Sequence, residues 1–110
     1  MLKARFTQCI DACEVCGDAC NHCAASCLRE EDVKHLTRCI ALDMECAAAC
    51  QFAAASMARD SPYANVICRL CAEICDACGE ECGKHEHEHC QACARACKAC
   101  AEECRKMAAA

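Results

Sequence analysis

Small apolar residues recur along this chain in steps of three and four, with charged and polar residues between them. The clearest run is CIDACEVCGDACNHCAASC, where Cys9, Cys13, Cys16, Cys20, Cys23 and Cys27 alternate steps of four and three. Residues three and four apart stack on one face of an α-helix with Cβ atoms ~5–6 Å apart, so the run predicts one long helix with a single stripe. The stripe returns at Cys68, Cys71, Cys75, Cys78 and Cys82, and again at Cys90, Cys93, Cys97, Cys100 and Cys104. A thinner version holds Cys39, Cys46 and Cys50. All nineteen cysteines lie on these four stripes, at positions where a helical bundle ordinarily carries Leu and Ile.

The breaks between stripes set the elements. The first helix is expected from about Lys3 to Leu28; the stripe then loses phase in LREED, where Asp32 is a plausible N-cap for a second helix ending near Asp60. Ser61 followed by Pro62 is a start signal for a third helix, which should end at Gly83. KHEHEH is a connector, and a fourth helix runs from near Glu88 into the alanines at 108–110. Short connectors force antiparallel neighbours, so the prediction is an all-α, up-down-up-down four-helix bundle, one domain over residues 1–110. The core face of the second helix would carry His35, Cys39, Cys46, Cys50, Ala53 and Met57, with Leu42 and Asp43 flanking a gap. Leu36, Ile40, Ile67, Leu70 and Ile74 lie beside the stripes, where they would close the seams between helices or form a subunit contact.

Composition changes this picture in one respect. The apolar fraction is 56%, but it is mainly Ala and Cys, with two Phe, one Tyr and no Trp. At roughly 25 cal/mol per Å² of apolar surface, such an interior stabilises far less than a Leu-rich one, so something besides hydrophobic burial is expected inside. A net charge of −5 with no basic run leaves nucleic-acid binding without support. No export-type apolar segment opens the chain and no apolar run reaches the ~18 residues of a membrane span, so a cytoplasmic location is expected. No triad-like grouping or nucleotide loop is present, and many equivalent cysteines offer no single activated nucleophile. The expectation is a protein that is not an enzyme; a thiol oxidoreductase would need a redox pair at a helix N-terminus.

Same-face helical neighbours are too far apart for disulfides, whose Cβ atoms sit ~3.8 Å apart, so the ladders point to metal. Soft thiolates select Cu(I), Zn(II) or iron–sulfur clusters. Zinc held by four thiolates keeps a charge of ~−2 per metal, and nineteen thiols would serve only ~5 such sites while burying that charge. Cu(I) accepts two or three bridging thiolates, and at one Cu(I) per thiolate the core is neutral. Iron–sulfur ligands usually come from loops around a compact cluster. Copper is the favoured cargo; zinc or cadmium sequestration and iron–sulfur binding are the alternatives.

CNHCAASCL, CIALDMEC, the DSPY turn and above all CGEECGKHEHEHCQACARACKACAEEC resemble the cytosolic branch of the copper storage proteins, over essentially the whole chain. The resemblance implies an antiparallel bundle whose lumen holds many Cu(I) ions on every cysteine from Cys9 to Cys104. It also implies homotetramers; a cytosolic copper donor or acceptor protein is expected as a further partner. The connectors bring His35, His85, His87 and His89 to one end, where neutral imidazoles would receive Cu(I) and pass it inward, unless they are only part of a charged connector. His22 is expected at the surface, Asp43 could supply an oxygen ligand, and Met57 should pack at the far end with Phe6 and Met107.

Overall fold

The computed structural model describes residues 6–109. Four long helices, α1 (Thr7–Cys27), α2 (Thr37–Ala58), α3 (Ala64–Gly83) and α4 (Glu88–Ala109), follow the cysteine stripes, with a 3-10 turn, Val33–His35, before α2. α1 packs on α2 and α4, and α3 packs on α4 and α2, so the helices form a square with α1 and α3 on one diagonal. The bundle measures 45 × 22 × 18 Å, its length set by 22-residue helices of ~33 Å plus connectors.

Each helix turns its cysteines to the centre, and all nineteen are buried. Around the sulfur column the fully enclosed apolar side chains are few: Phe6, Leu36 and Met57 are the large ones, and Ala47, Ala53, Ala64, Ala72 and Ala101 fill the seams. Small residues let the backbones approach. A Cβ at Gly79 would lie 3.1 Å from the Cβ of Cys97 and 3.6 Å from the Ala94 carbonyl, so the bare position 79 lets α3 and α4 approach here without crowding Cys97.

Several boundaries differ from the sequence reading. The expected start at Lys3 lies outside the described residues. Asp32 does not cap α2; it precedes the 3-10 turn, and α2 begins at Thr37. That turn shifts the register by a fraction of a helical turn, so His35 is exposed and Leu36, expected off the cysteine face, is fully buried. Ser61–Pro62 likewise forms a turn ahead of α3: the Ser61 hydroxyl accepts the Tyr63 N–H at 3.1 Å, and the Ser61 carbonyl accepts the Ala64 N–H at 3.1 Å. α2 ends in a left-handed residue, Asp60 (φ 54°), with the Asp60 and Ser61 N–H groups bonded back to Met57 and Ser56 carbonyls. This closes the last turn by a Schellman arrangement.

Of the seam residues, Ile40, Ile67 and Ile74 pack partly buried against the core, whereas Leu70 is half exposed. Among the described residues α2 alone is long and apolar enough to cross a membrane, but nearly half of its apolar window is buried inside the bundle. Its outward face exposes Met44 and Phe52.

Candidate metal centre

The thiol ladders interdigitate at the bundle axis. Within a helix, Cys16 and Cys20 Sγ lie 4.0 Å apart, and Cys78 and Cys82 3.9 Å. Across helices the contacts are as close: Cys93 to Cys20 and Cys100 to Cys13 at 3.6 Å, Cys46 to Cys75 at 3.6 Å, and Cys39 to Cys82 at 3.2 Å. Sets of four sulfurs therefore fall within 4.8 Å of one another along the column: Cys13, Cys71, Cys100 and Cys104; Cys16, Cys46, Cys50 and Cys75; Cys20, Cys78, Cys93 and Cys97; Cys23, Cys27, Cys39 and Cys90. A further set, Cys16, Cys20, Cys46 and Cys97, draws on two of these, so the sites overlap and a sulfur can bridge neighbouring metals. Cys9 joins the column through Cys104 at 3.7 Å, and the Cys68 thiol interacts with Cys9 and Cys104.

Burial disfavours charge on these thiols. It pushes Cys27 up to about 11 and raises Cys90 for the same reason, and any charge on Cys39 would raise both further. Nineteen ionised sulfurs in this space without cations would repel one another strongly, so the metal-free lumen holds protonated thiols that give up protons as metal enters.

One carboxyl interrupts the sulfur. Asp43 is fully buried, and its Oδ1 accepts S–H bonds from Cys82 and Cys93 at 3.2 Å and Cys78 at 3.3 Å, while Oδ2 faces Cys39 at 3.8 Å. Rather than flanking a gap, it reaches thiols of α2, α3 and α4. Burial raises its pKa to about 8, any charge on Cys93 would raise it further, and S–H donation from thiols such as Cys82 opposes it.

At the end shared by the α1–α2 and α3–α4 connectors, the predicted histidines separate into different roles. His89 Nδ1 faces three thiols, Cys23 at 3.4 Å, Cys90 at 3.6 Å and Cys27 at 4.0 Å, while Nε2 meets Glu30 Oε2 at 2.8 Å. His87 stacks on His89, ring centroids 5.3 Å apart and planes within 5°, with Nε2 3.0 Å from Asp32 Oδ1 and Nδ1 3.3 Å from Glu30 Oε2. His87 holds the Asp32 carboxyl below its usual range. His85 turns to Glu81 at 2.9 Å and holds that carboxyl low in the same way. Gln91 donates to the carbonyls of Gly83 (3.1 Å) and His85 (2.7 Å), tying the connector to α4. His35 is exposed and off the thiol column, and His22 is at the surface as expected. Met57 is fully buried in the core cluster with Phe6, and Met107 packs partly buried against it. Glu30, Asp32 and Glu81 were not singled out as partners of these histidines in the sequence; the signal was the acidic run in LREED, in a connector placed at the same end as KHEHEH.

The geometry has known counterparts. The family model described as "Copper storage protein" matches residues 2–109. A curated Bacillus subtilis protein, the uncharacterized cysteine-rich protein YhjQ, is 59% identical over 101 residues, covering 92% of this chain and 94% of that one. The structure of the Cu(I)-bound copper storage protein BsCsp3 superposes with a TM-score of 0.91 at 57% identity, covering 94% of this chain and 98% of that one. A cytosolic copper storage protein from Streptomyces lividans, bearing five coppers, gives a TM-score of 0.92 at 40% identity, with coverage of 96% and 93%. From the family match and these identities, the chain belongs to the copper storage protein family.

Proposed function

We propose that this chain stores Cu(I) on the nineteen cysteine thiolates of its lumen. One observation carries the reading: every cysteine is buried, and sets of four overlap along the axis, which suits a cation that shares sulfurs and neutralises them one for one. Zinc would use four thiolates per ion and leave the lumen charged, so the overlapping sets favour copper. The family match and the Cu(I)-bound neighbours support the same conclusion. Storage needs no turnover, and catalysis is not part of this proposal.

Copper is taken up and returned at the histidine end. His89 is the first ligand, since its Nδ1 faces Cys23, Cys27 and Cys90, and His87 stands one ring outward. His85 is committed to Glu81 and His35 points elsewhere, so neither enters the route. The protein acts in the cytosol as a homotetramer, a reading supported by the exposed Met44 and Phe52 on α2, and it exchanges copper with a soluble donor or acceptor.

Anaerobic titration of the whole chain with Cu(I) against a competing chelator, followed by native mass spectrometry, tests the storage reading. Saturation near one copper per thiol is expected, about nineteen per chain. Saturation near ~5 metals, with Zn(II) displacing Cu(I), would overturn it.

A further inference from the structure

We infer that Glu30 is a positioning residue for copper uptake: it fixes the ring orientation and tautomer of His89 so that Nδ1 presents its lone pair to the thiols. The inference rests on the proposed histidine-end route and adds a residue outside the cysteine and histidine set.

A neutral imidazole has one N–H and one lone pair, and the partner of one nitrogen decides what the other can do. Glu30 Oε2 lies 2.8 Å from His89 Nε2, and a carboxylate only accepts, so Nε2 carries the proton. Nδ1 is then the bare nitrogen, and it faces Cys23 at 3.4 Å, Cys90 at 3.6 Å and Cys27 at 4.0 Å. In the opposite tautomer Nδ1 would carry a hydrogen toward these sulfurs and could not ligate. A carboxylate behind a metal-binding histidine also raises the basicity of its free nitrogen.

Glu30 is itself held. Its backbone N–H bonds to the carbonyl of Cys27 at 3.2 Å, so the carboxylate hangs from the end of the helix that supplies two of the three thiols. The same Oε2 lies 3.3 Å from His87 Nδ1, and His87 is braced from its other nitrogen by Asp32 at 3.0 Å. Flipping the His89 ring about its Cβ–Cγ bond would leave it parallel to His87 but would lose the 2.8 Å contact with Glu30, so Glu30 is what fixes the nitrogen that faces the thiols. A simple ion pair joining two connectors would need none of this alignment.

The test is stopped-flow transfer of Cu(I) from a chelating donor to the full chain under anaerobic conditions, with ¹⁵N NMR of the histidine rings in the metal-free protein. Glu30→Ala should slow transfer about ten- to a hundredfold, the usual effect of losing an outer-shell partner. Glu30→Gln, which keeps a carbonyl acceptor, should recover most of the rate. In a His89→Ala background Glu30→Ala should add no further slowing, and in the single variant the two ring-nitrogen shifts of His89 should converge as the single tautomer is lost. Equal slowing by Glu30→Ala with and without His89 would make Glu30 a structural tie and overturn the inference, as would an unchanged tautomer. If His89→Ala alone leaves transfer unchanged, the histidine-end route fails instead, and the NMR readout still judges Glu30 separately.

Discussion

Replacing Asp43 by Asn should change how the stability of the metal-free bundle depends on pH. The folded protein holds this carboxyl at about 8 against an ordinary value of 3.8, chiefly through burial. Between those values the folded chain keeps a proton that the unfolded chain releases. Stability therefore falls as pH rises through the window, by ~1.4 kcal/mol per pH step, and is unaffected by this group below it. From pH 5 to pH 8 the loss due to Asp43 comes to about 4 kcal/mol; as the side chain is fully enclosed, solvent screening takes little from it. Asn cannot titrate, yet its carbonyl can still accept S–H bonds of the kind that Cys78, Cys82 and Cys93 give Asp43 at 3.2–3.3 Å. Urea unfolding of both proteins, followed by circular dichroism under reducing anaerobic conditions at matched concentration, isolates the term because every other titrating group is common to the pair. The Asn variant should gain on the parent steadily from pH 5 to pH 8. A stability difference that stays constant over that range would refute the argument, since Asp43 would then not hold its proton in the fold.

Gly79→Ala should destabilise the bundle by about 1–3 kcal/mol, because the new methyl meets the Cys97 Cβ at 3.1 Å. Gly17→Ala has 3.6 Å to its nearest neighbour and should be neutral or stabilising by up to ~1 kcal/mol, so equal melting shifts for the two would contradict the packing account. Met57→Ala, at a fully buried site, should cost ~2–5 kcal/mol in denaturant melts while leaving Cu(I) transfer rates unchanged; slower transfer would point to copper passing the far end. Charging the outward face of α2 with Met44→Glu and Phe52→Glu should lower the native mass toward that of a monomer, and an unchanged oligomer would remove this face from the assembly.

Most of the lumen was legible from spacing alone. A four-and-three alternation admits one helical face, and with short connectors four such faces can only close around a common axis. What periodicity could not reveal was the path of the chain where it leaves a helix. The step of twelve from Cys27 to Cys39 showed that phase was lost, but not that a 3-10 turn would absorb the difference, and so the prediction put His35 inward where Leu36 belongs. Asp32 looked like a cap because its residue type fits one; its partner is instead His87, fifty-five positions on. Asp43 stood out as polar on an apolar face, yet its contacts with Cys78, Cys82 and Cys93 depend on two other helices and exist only after assembly.

The spacing of the sulfurs bears on how the outside of the molecule relates to its contents. A metal–sulfur bond of ~2.3 Å places the sulfurs of a three-coordinate ion ~4.0 Å apart and those of a linear one ~4.6 Å apart. Most of the metal-free contacts already run from 3.6 to 4.0 Å. Filling thus asks for shifts of a fraction of an ångström, which thiol side-chain rotation can absorb without moving the helices. An empty and a full molecule then present the same surface along the whole barrel. A partner that must tell them apart has no shape to read, and has to ask at the histidine end, by offering a ligand of its own and finding whether an ion comes away.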